Sequence, residues 1–515
     1  MKRSCGVLLP VASLPSDHGI GTFGKEAYRF IDTLVAAGQS YWQILPLGPT
    51  GYGDSPYQSF STFAGNPYYI DLDFLKDEGL LKETEIKKAG LDEATEKVDY
   101  EAQYKRRFPL LRKAYVSSPE YSKFREENFD VGNVKVNKEF DAFYASSKEW
   151  LVDYALFMAV KDANDGKSYF EWEDGIRSRD ARSIKENLER YGEDVFFYIY
   201  LQFKFQEQWE KLRKYAGEKG VKIIGDIPIY VALDSSDSWS HPELFQFDKE
   251  GQPIAVAGCP PDAFSETGQL WGNPLYNWDK HRETGYAWWL ERLSRCFQWY
   301  DMVRIDHFRG FDEYYSIPFG DPTAVNGKWE KGPGIELFQA MEQKIGKQEI
   351  IAEDLGFLTD SVKKMLRDTG YPGMKVLQFA FDSREESDYM PHNYDKNCVV
   401  YTGTHDNTTT FSWWKSELPR KDKEVALRYL DLPTIFLTNR KLTWQLIVFA
   451  ERSVADLCII PAWDFLMLDK EARINTPSTL GNNWCWRMEK NAFGAGLCYK
   501  IREMCRLYGR TPRDN

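Results

Sequence analysis

Short runs of apolar residues recur along this 515-residue chain, and segments with helical spacing separate several of them. A run of this length between turn signals predicts a strand that is buried on both faces. Eight such runs can be counted, at residues 5–11, 41–47, 221–231, 302–306, 349–353, 374–381, 398–403 and 456–463. The chain therefore offers enough strands for one large sheet or barrel.

Several segments between these runs carry apolar residues three and four positions apart, which predicts helices with one buried face. The clearest are 24–37, 336–345 and 361–367, the last with Thr359 or Asp360 available as a helix N-cap. Strand followed by helix, repeated toward eight times, is the α/β pattern of a (β/α)8 TIM barrel. The same alternation also fits an open, doubly wound sheet.

Two connections are too long to be plain helices. Residues 75–200 interleave Lys with Glu as solvated helices do, and 201–215 has one apolar face, so we expect a mainly helical inserted subdomain at 75–220. Residues around 232–300 are rich in Pro, Gly and aromatic residues, which predicts an active-site loop insertion. The catalytic barrel would then comprise 1–74 and 221–515.

Composition and charge narrow the class of function. The net charge of -12 argues against a nucleic-acid partner, because binding to phosphates is carried by basic residues. Aromatic residues make up 15% of the chain, with 17 Trp. Trp faces commonly hold sugar rings, although large enzymes also bury many aromatic side chains in their cores.

The remaining composition predicts a soluble cytoplasmic protein. The eight Cys are scattered and form no CxxC pair, which indicates reduced and mostly buried thiols. No run of about 18 apolar residues is present, so no membrane span is expected. The first residues lead directly into a predicted strand, so we expect no secretion signal.

Acidic residues stand where three of the apolar runs end, and the exits of barrel strands are where such enzymes carry their chemistry. Asp306 follows Arg304 by two positions, so both side chains point the same way on a strand. The guanidinium would keep the carboxylate ionised and lower its pKa, as a nucleophile requires. A salt bridge inside the barrel is the alternative.

The other acids can be interpreted in the same way. Glu353 ends a buried run, where a raised pKa suits a general acid, and the adjacent Asp354 should point to the other face. Asp406 could instead cap a helix, and His405 could be a core histidine. Asp226 lies in the segment 225–231, which ends a fourth run. Four acids at four strand ends together favour a glycosidase-type site, which needs a carboxylate nucleophile and a second acid/base.

Metal binding is not predicted, because the six His are isolated and no HxH or HExxH spacing occurs.

Motifs along nearly the whole chain resemble, in order, those of one enzyme family. They are GVLLPVASLP at 6–15, GIGTFG at 19–24, YWQILPLGP at 41–49, GDSPYQ at 53–58, GDIPIY at 225–230, GQLWGNP at 268–274, RIDHFRG at 304–310, EDLG at 353–356, THDN at 404–407, NTP at 475–477 and NWCWR at 483–487. This series resembles the 4-α-glucanotransferases, also called amylomaltases or disproportionating enzymes, of glycoside hydrolase family 77 in the α-amylase clan.

The resemblance implies a role for each matching residue. Asp306 resembles the nucleophile, Glu353 the acid/base, and Asp406 the acid that binds sugar hydroxyls in the transition state. Arg304 and His405 resemble residues that orient the nucleophile and the sugar at subsite −1. Residues resembling glucan contacts are Asp226, His307, Trp271, Asn475, Ser55 and Tyr57. The segment 259–265, with Phe264, resembles a lid loop over the cleft.

The implied reaction is retaining transfer of an α-1,4-glucan segment, from maltooligosaccharide or amylose, to the 4-OH of an acceptor glucan or glucose through a glucosyl-enzyme. In such a site the two carboxyl groups are expected about 5–5.5 Å apart. No metal or organic cofactor is implied, and the partners would be α-1,4-glucans, for a monomer or homodimer. A plastid protein without its transit peptide would look the same as a cytoplasmic one.

Two other functions fit the same acids. An amylase-like hydrolase would use the three carboxyl groups with water as the acceptor. A catalytically silent glucan-binding or regulatory protein would have the same fold without the activity, although the three intact acids argue against this function.

Overall fold

The computed structural model describes residues 2–511 apart from 52, 92–95, 133, 262–264, 357 and 433–437. Its strands are β1 Ser4–Leu8, β2 Tyr41–Gln43, β3 Lys222–Pro228, β4 Ala255–Cys259, β5 Gln269–Pro274, β6 Met302–Asp306, β7 Glu313–Pro318, β8 Lys328–Lys331, β9 Ile350–Ala352, β10 Gly373–Val376, β11 Cys398–Tyr401 and β12 Leu457–Pro461.

Helices surround these strands. They are α1 Lys25–Ala36, α2 Leu72–Asp77, α3 Glu83–Ala89, α4 Tyr100–Ala102, α5 Phe108–Val116, α6 Pro119–Glu126, α7 Lys138–Ala163, α8 Asp174–Arg177, α9 Ala181–Arg190, α10 Gly192–Glu218, α11 Ser236–Ser240, α12 Trp278–Glu283, α13 Ala287–Trp299, α14 Glu336–Ile345, α15 Asp360–Thr369, α16 Thr410–Ser412, α17 Arg420–Tyr429, α18 Asn439–Arg452, α19 Ala462–Phe465 and α20 Ala495–Leu507.

Eight parallel strands form the barrel, in the order β10-β11-β12-β1-β2-β3-β6-β9. The two end strands meet, because the Ala352 N–H donates to the Pro372 carbonyl at 3.0 Å. The Met374 N–H donates to Oδ1 of Asp354 at 2.6 Å across the same junction. The (β/α)8 TIM barrel is therefore confirmed, and the open sheet is excluded.

Local sequence explains these elements well. Each of the eight apolar runs overlaps one barrel strand. The predicted helix at 336–345 is α14, and the one at 24–37 is α1. Helix α15 begins where Thr359 caps it, since its side chain accepts from the Val362 N–H. Seven of the eight cysteines are buried, as expected.

The region 75–220 is helical and packs onto the barrel through an aromatic cluster. Phe205 and Trp209 of α10 lie with their ring centroids 5.1 Å and 5.0 Å from that of Phe23, in the loop before α1. The same hydrophobic core continues from the barrel into these helices. Treating 75–220 as a separate subdomain stays a prediction.

The prediction of a loop at 232–300 was wrong in its details. This region contains α11–α13 and the two strands β4 and β5. These strands form an antiparallel sheet with β7 and β8, in the order β5-β4-β7-β8. β4 pairs with β5 and also with β7, which comes after barrel strand β6, so the pairing of β4 with β7 is long-range and leaves no local signal. In the part of the chain described, no helix is long and apolar enough to cross a membrane.

The junction that closes the barrel gives a test of the fold. A Cβ atom at Gly373 would lie 2.2 Å from a carboxylate oxygen of Asp354, whereas one at Gly217 in α10 would meet nothing within 4 Å. We expect Gly373→Ala to destabilise the protein by about 1–3 kcal/mol through overpacking.

Gly217→Ala is the matched control and should leave stability unchanged or raise it by about 0.5–1 kcal/mol, because alanine favours a helix. Thermal unfolding followed by circular dichroism makes the comparison. An unchanged midpoint for Gly373→Ala would contradict the close approach at the junction.

Candidate active site

The three acids predicted at strand exits converge on one cleft at the carboxyl ends of the barrel strands. Asp306 is the last residue of β6, Glu353 directly follows β9, and Asp406 lies in the segment between β11 and α16. The cleft has a volume of about 760 Å³. Ten of the predicted site residues line it: Ser55, Tyr57, Trp271, Arg304, Asp306, His307, Glu353, His405, Asp406 and Asn475.

A buried arginine connects two of the acids beneath the cleft. Nη1 of Arg304 lies 2.8 Å from both carboxylate oxygens of Asp226 and 3.0 Å from Oδ1 of Asp306. Arg304 and Asp226 are paired in register on neighbouring strands, which sets this contact. The side chain of Asp306 is 30% exposed, whereas the side chains of Arg304 and Asp226 are 3% and 0% exposed.

Asp226 departs from the predicted glucan contact. Its carboxylate is fully buried under the cleft and accepts bonds from Arg304 and from the Tyr57 hydroxyl, the latter at 2.9 Å. A carboxylate at this depth supports the site from below and does not form its wall. Sequence placed Asp226 at a strand end but could not give the depth of its side chain.

The electrostatics of Asp306 also differ from the prediction. Burial raises its pKa above the ordinary range, the Arg304 charge lowers it, and the nearby carboxylates of Asp226 and Asp406 raise it again. The net direction is up, whereas the Arg304 pair alone predicted a lowered pKa. The prediction counted one neighbour and omitted the loss of solvent.

Glu353 is fixed by the turn that follows Asp306. Its Oε2 accepts from the His307 N–H at 2.7 Å, and its Oε1 accepts from the Leu355 N–H at 3.0 Å. His307 adopts the left-handed conformation, with φ of 53°, at the start of this turn. Burial, and then the charge on Asp306, raise the pKa of Glu353 to about 7. The predicted direction is confirmed for Glu353.

Asp354 faces away from the cleft, as its position one residue after Glu353 predicted. Its bond to the Met374 N–H belongs to the barrel junction. Met374 in turn lies under the site, because its sulfur accepts from Nε of Arg304 at 3.3 Å.

Asp406 is held by two polar neighbours. Nδ2 of Asn475 donates to its Oδ1 at 2.7 Å, and Nε2 of His405 lies 3.3 Å from its Oδ2. Burial raises the pKa of Asp406, but His405 and Asn475 lower this pKa by a larger amount. The net pKa therefore lies well below its usual range. Burial lowers the pKa of His405, the Asp406 charge raises it, and the net direction is up. The pair therefore favours a carboxylate beside an imidazolium.

Aromatic rings form one wall of the cleft. The rings of Tyr57 and His405 are stacked, 5.2 Å apart and inclined by 16°. Trp484 lies 5.7 Å from Tyr57, and Trp271 meets His307 edge to face at 4.8 Å. Such faces can pack against sugar rings while the carboxyl groups contact their hydroxyls.

Several cleft residues were missed from the sequence. Gln58, Asn273 and Trp484 lie inside motifs that the sequence analysis had recognised, so a signal for them was present. Phe379 and Leu480 also line the cleft, and no sequence signal distinguished them. Phe264, predicted in the lid, lies outside the described residues.

Metal-ligand side chains cluster elsewhere. Within the described ranges, the one group of this kind is Cys5, Glu451 and Cys505, buried outside the cleft. Glu451 is paired there with Arg510 at 2.9 Å. The absence of a metal in the reaction stays a prediction.

Comparison with known proteins places this site in a family. A family model described as 4-alpha-glucanotransferase matches residues 9–492. The chain is 47% identical over 501 residues to the 4-alpha-glucanotransferase of Clostridium butyricum, covering 97% of this chain and 99% of that protein. It is 44% identical over 491 residues to that of Thermus thermophilus, covering 95% of both.

The three-dimensional comparison agrees. The amylomaltase of Streptococcus agalactiae, solved in complex with acarbose, superposes with a TM-score of 0.92 at 38% sequence identity. The match covers 99% of this chain and 100% of that chain. The chain therefore belongs to the 4-alpha-glucanotransferase family, which its sequence motifs predicted.

Proposed function

We propose that this enzyme transfers segments of α-1,4-glucans with retention of configuration, through a covalent glucosyl-enzyme on Asp306. The observation that carries the proposal is the bonding of Glu353 to the turn after Asp306, which fixes an acid with a raised pKa beside a carboxylate bound to arginine. Donor and acceptor would be maltooligosaccharides or amylose, with glucose as the smallest acceptor.

The first step uses both carboxyl groups. Oδ1 of Asp306 is engaged by Arg304, which leaves Oδ2 to attack the anomeric carbon. Protonated Glu353 gives its proton to the glycosidic oxygen as the bond to the anomeric carbon breaks. The reducing-end fragment leaves with a free 4-OH, and an ester joins the donor sugar to Asp306.

The second step reverses these roles, and the electrostatics of the site favour the change. The charge on Asp306 is one of the causes that raise the pKa of Glu353. Ester formation removes that charge, so the pKa of Glu353 falls and its carboxylate can accept the proton from the acceptor 4-OH. The acceptor oxygen then attacks the anomeric carbon and releases Asp306.

Asp406 and His405 are assigned to the sugar at subsite −1. Asp406 would accept bonds from the sugar hydroxyls, and its low pKa keeps it ionised for that purpose. A carboxylate held in place before the reaction stabilises the positive charge that develops on the ring in the transition state. Asn475 keeps the carboxylate oriented.

The products from maltotriose test the function. Purified enzyme should yield glucose together with chains longer than maltotriose, whereas an amylase-like hydrolase would yield only shorter ones. Asp306→Asn should lower this activity by at least about 10⁴-fold, because an amide cannot form the ester. Products are separated by anion-exchange chromatography.

Asp279→Asn provides the matched control, since Asp279 is an exposed residue of α12. It should retain the activity of the parent enzyme. Parent-like activity of folded Asp306→Asn would contradict the nucleophile, and products no longer than maltotriose would contradict transfer.

The acid/base has a separate signature in its pH dependence. Because Glu353 must be protonated in the first step, activity on maltotriose should fall as the pH rises through about 7. In the first turnover, Glu353→Gln should cleave maltotriose about 10²–10⁴-fold more slowly than the parent but lose much less in fluoride release from α-maltosyl fluoride, whose leaving group needs little protonation. Single-turnover rates for both donors between pH 5 and pH 9 make the comparison.

The parent enzyme on the fluoride donor is the internal control for stability across this pH range. An equal loss on both donors would argue that Glu353 is not the proton donor.

A further inference from the structure

The segment 402–410 carries Asp406 and His405, and its residues before 410 belong to neither a helix nor a strand. It begins after β11 and ends at the first residue of α16. Within it, the Asn407 side chain accepts from the N–H and hydroxyl of Thr404. These bonds shape the turn but do not attach it to the barrel.

A buried carboxylate on the next strand-to-helix connection attaches the segment at both ends. Oδ2 of Asp464, in α19, accepts from the hydroxyls of Thr402 and Thr410, each at 2.6 Å. Its Oδ1 accepts from the Thr410 N–H at 2.7 Å. Asp464, Thr402 and Thr410 are each at most 1% exposed. One side chain thus joins the two ends of the segment that holds Asp406.

The preceding strand-to-helix connection holds the segment from the other side. Nε2 of Gln378 donates to the Thr408 carbonyl at 3.0 Å and lies 3.2 Å from the Thr410 hydroxyl. A Cβ atom at Gly403 would lie 2.6 Å from the same nitrogen, so a larger residue there would displace the Gln378 amide. The segment is therefore clamped between its two neighbours around the barrel.

Asp464 is charged at neutral pH, and this buried charge destabilises the folded protein. Burial raises the pKa of Asp464 to about 6, although the bonds from Thr402 and Thr410 lower it. Because the folded-state pKa of Asp464 is raised, the contribution of its carboxyl group to stability is complete below the ordinary aspartate pKa. That contribution is lost as the pH rises through about 6. A loop held by a buried acid that is bound only by neutral hydroxyls and an amide therefore costs folding free energy.

We propose that Asp464 is a positioning residue for glucan transfer: it fixes both ends of segment 402–410 and so sets where Asp406 meets the sugar. The inference rests on the proposed function of Asp406 as the acid that binds sugar hydroxyls in the transition state. Asp464 lies behind the segment and does not line the cleft, so it acts through Asp406.

Two substitutions at this position separate geometry from charge. In Asp464→Asn the amide oxygen can accept from the Thr410 N–H, and the amide nitrogen can donate to the two hydroxyls after they rotate. This variant should keep activity within about threefold of the parent, because a preserved set of bonds preserves position. It should unfold at the same temperature or higher at pH 8, because the buried charge is gone.

Asp464→Ala removes all three bonds. We expect kcat on maltotriose to fall by about 10–100-fold, with KM changed by less than about threefold, because a displaced Asp406 loses interactions made in the transition state. A stability role alone would lower the unfolding temperature and leave kcat of the folded protein unchanged. That second result would overturn the proposal.

A double-mutant cycle with Asp406→Asn shows whether the effect passes through Asp406. Rates with α-maltosyl fluoride should be the same for Asp406→Asn and for Asp406→Asn/Asp464→Ala, because a residue that acts through Asp406 has no further effect once that carboxylate is gone. A further fall by the full single-variant factor would overturn the inference. If Asp464→Ala does not fold, Thr402→Val removes one bond with little change of shape and replaces it in the cycle.

The cycle also separates this inference from the function on which it rests. Parent-like activity of Asp406→Asn alone would reject the proposed role of Asp406, and the positioning role with it. Loss of activity in Asp406→Asn together with a parent-like kcat in Asp464→Ala would reject only the positioning role.

Discussion

The buried guanidinium of Arg304 is the interaction on which the rest of the site depends. It lies under the cleft, bonded to Asp226 on one side and to Asp306 on the other. Removing Arg304 would leave the buried Asp226 carboxylate without its cation, which is far more destabilising than the pair is stabilising. The barrel supplies this contact directly, because β3 and β6 are neighbours and place Asp226 opposite Arg304 in register.

The charges around Arg304 set the protonation of the other groups. Asp306 keeps a negative charge near Glu353, and this charge helps to hold the pKa of Glu353 near 7. His405 and Asn475 hold the pKa of Asp406 well below its usual range, so this carboxylate stays ionised. Adjacent carboxyl groups therefore differ in protonation, which acid/base catalysis by paired carboxyl groups requires. Formation of the ester at Asp306 would then change Glu353 from acid to base without movement of either side chain.

Much of this molecule could be predicted from sequence, and the parts that could not have a common cause. The barrel strands and helices α1, α14 and α15 follow from local periodicity, and ten predicted site residues line the cleft. The antiparallel sheet of β4, β5, β7 and β8 was missed because its central pairing, of β4 with β7, spans the intervening barrel strand β6. The depth of Asp226 and the raised pKa of Asp306 depend on burial, which sequence does not give. Asp464 was overlooked for the same reason, since only the fold brings it to Thr402 and Thr410.

The central claim is that Asp306 becomes covalently linked to the donor sugar. The Glu353→Gln variant, incubated with α-maltosyl fluoride and no acceptor, should accumulate this ester because the base needed for the second step is absent. After an acid quench and trypsin digestion, mass spectrometry of the peptide 305–309 tests the claim directly, since Asp306 is the one side-chain carboxylate in that peptide. The account predicts a maltosyl adduct on this peptide. An adduct on the peptide that carries Asp406, or release of fluoride in a burst with no adduct at all, would contradict it.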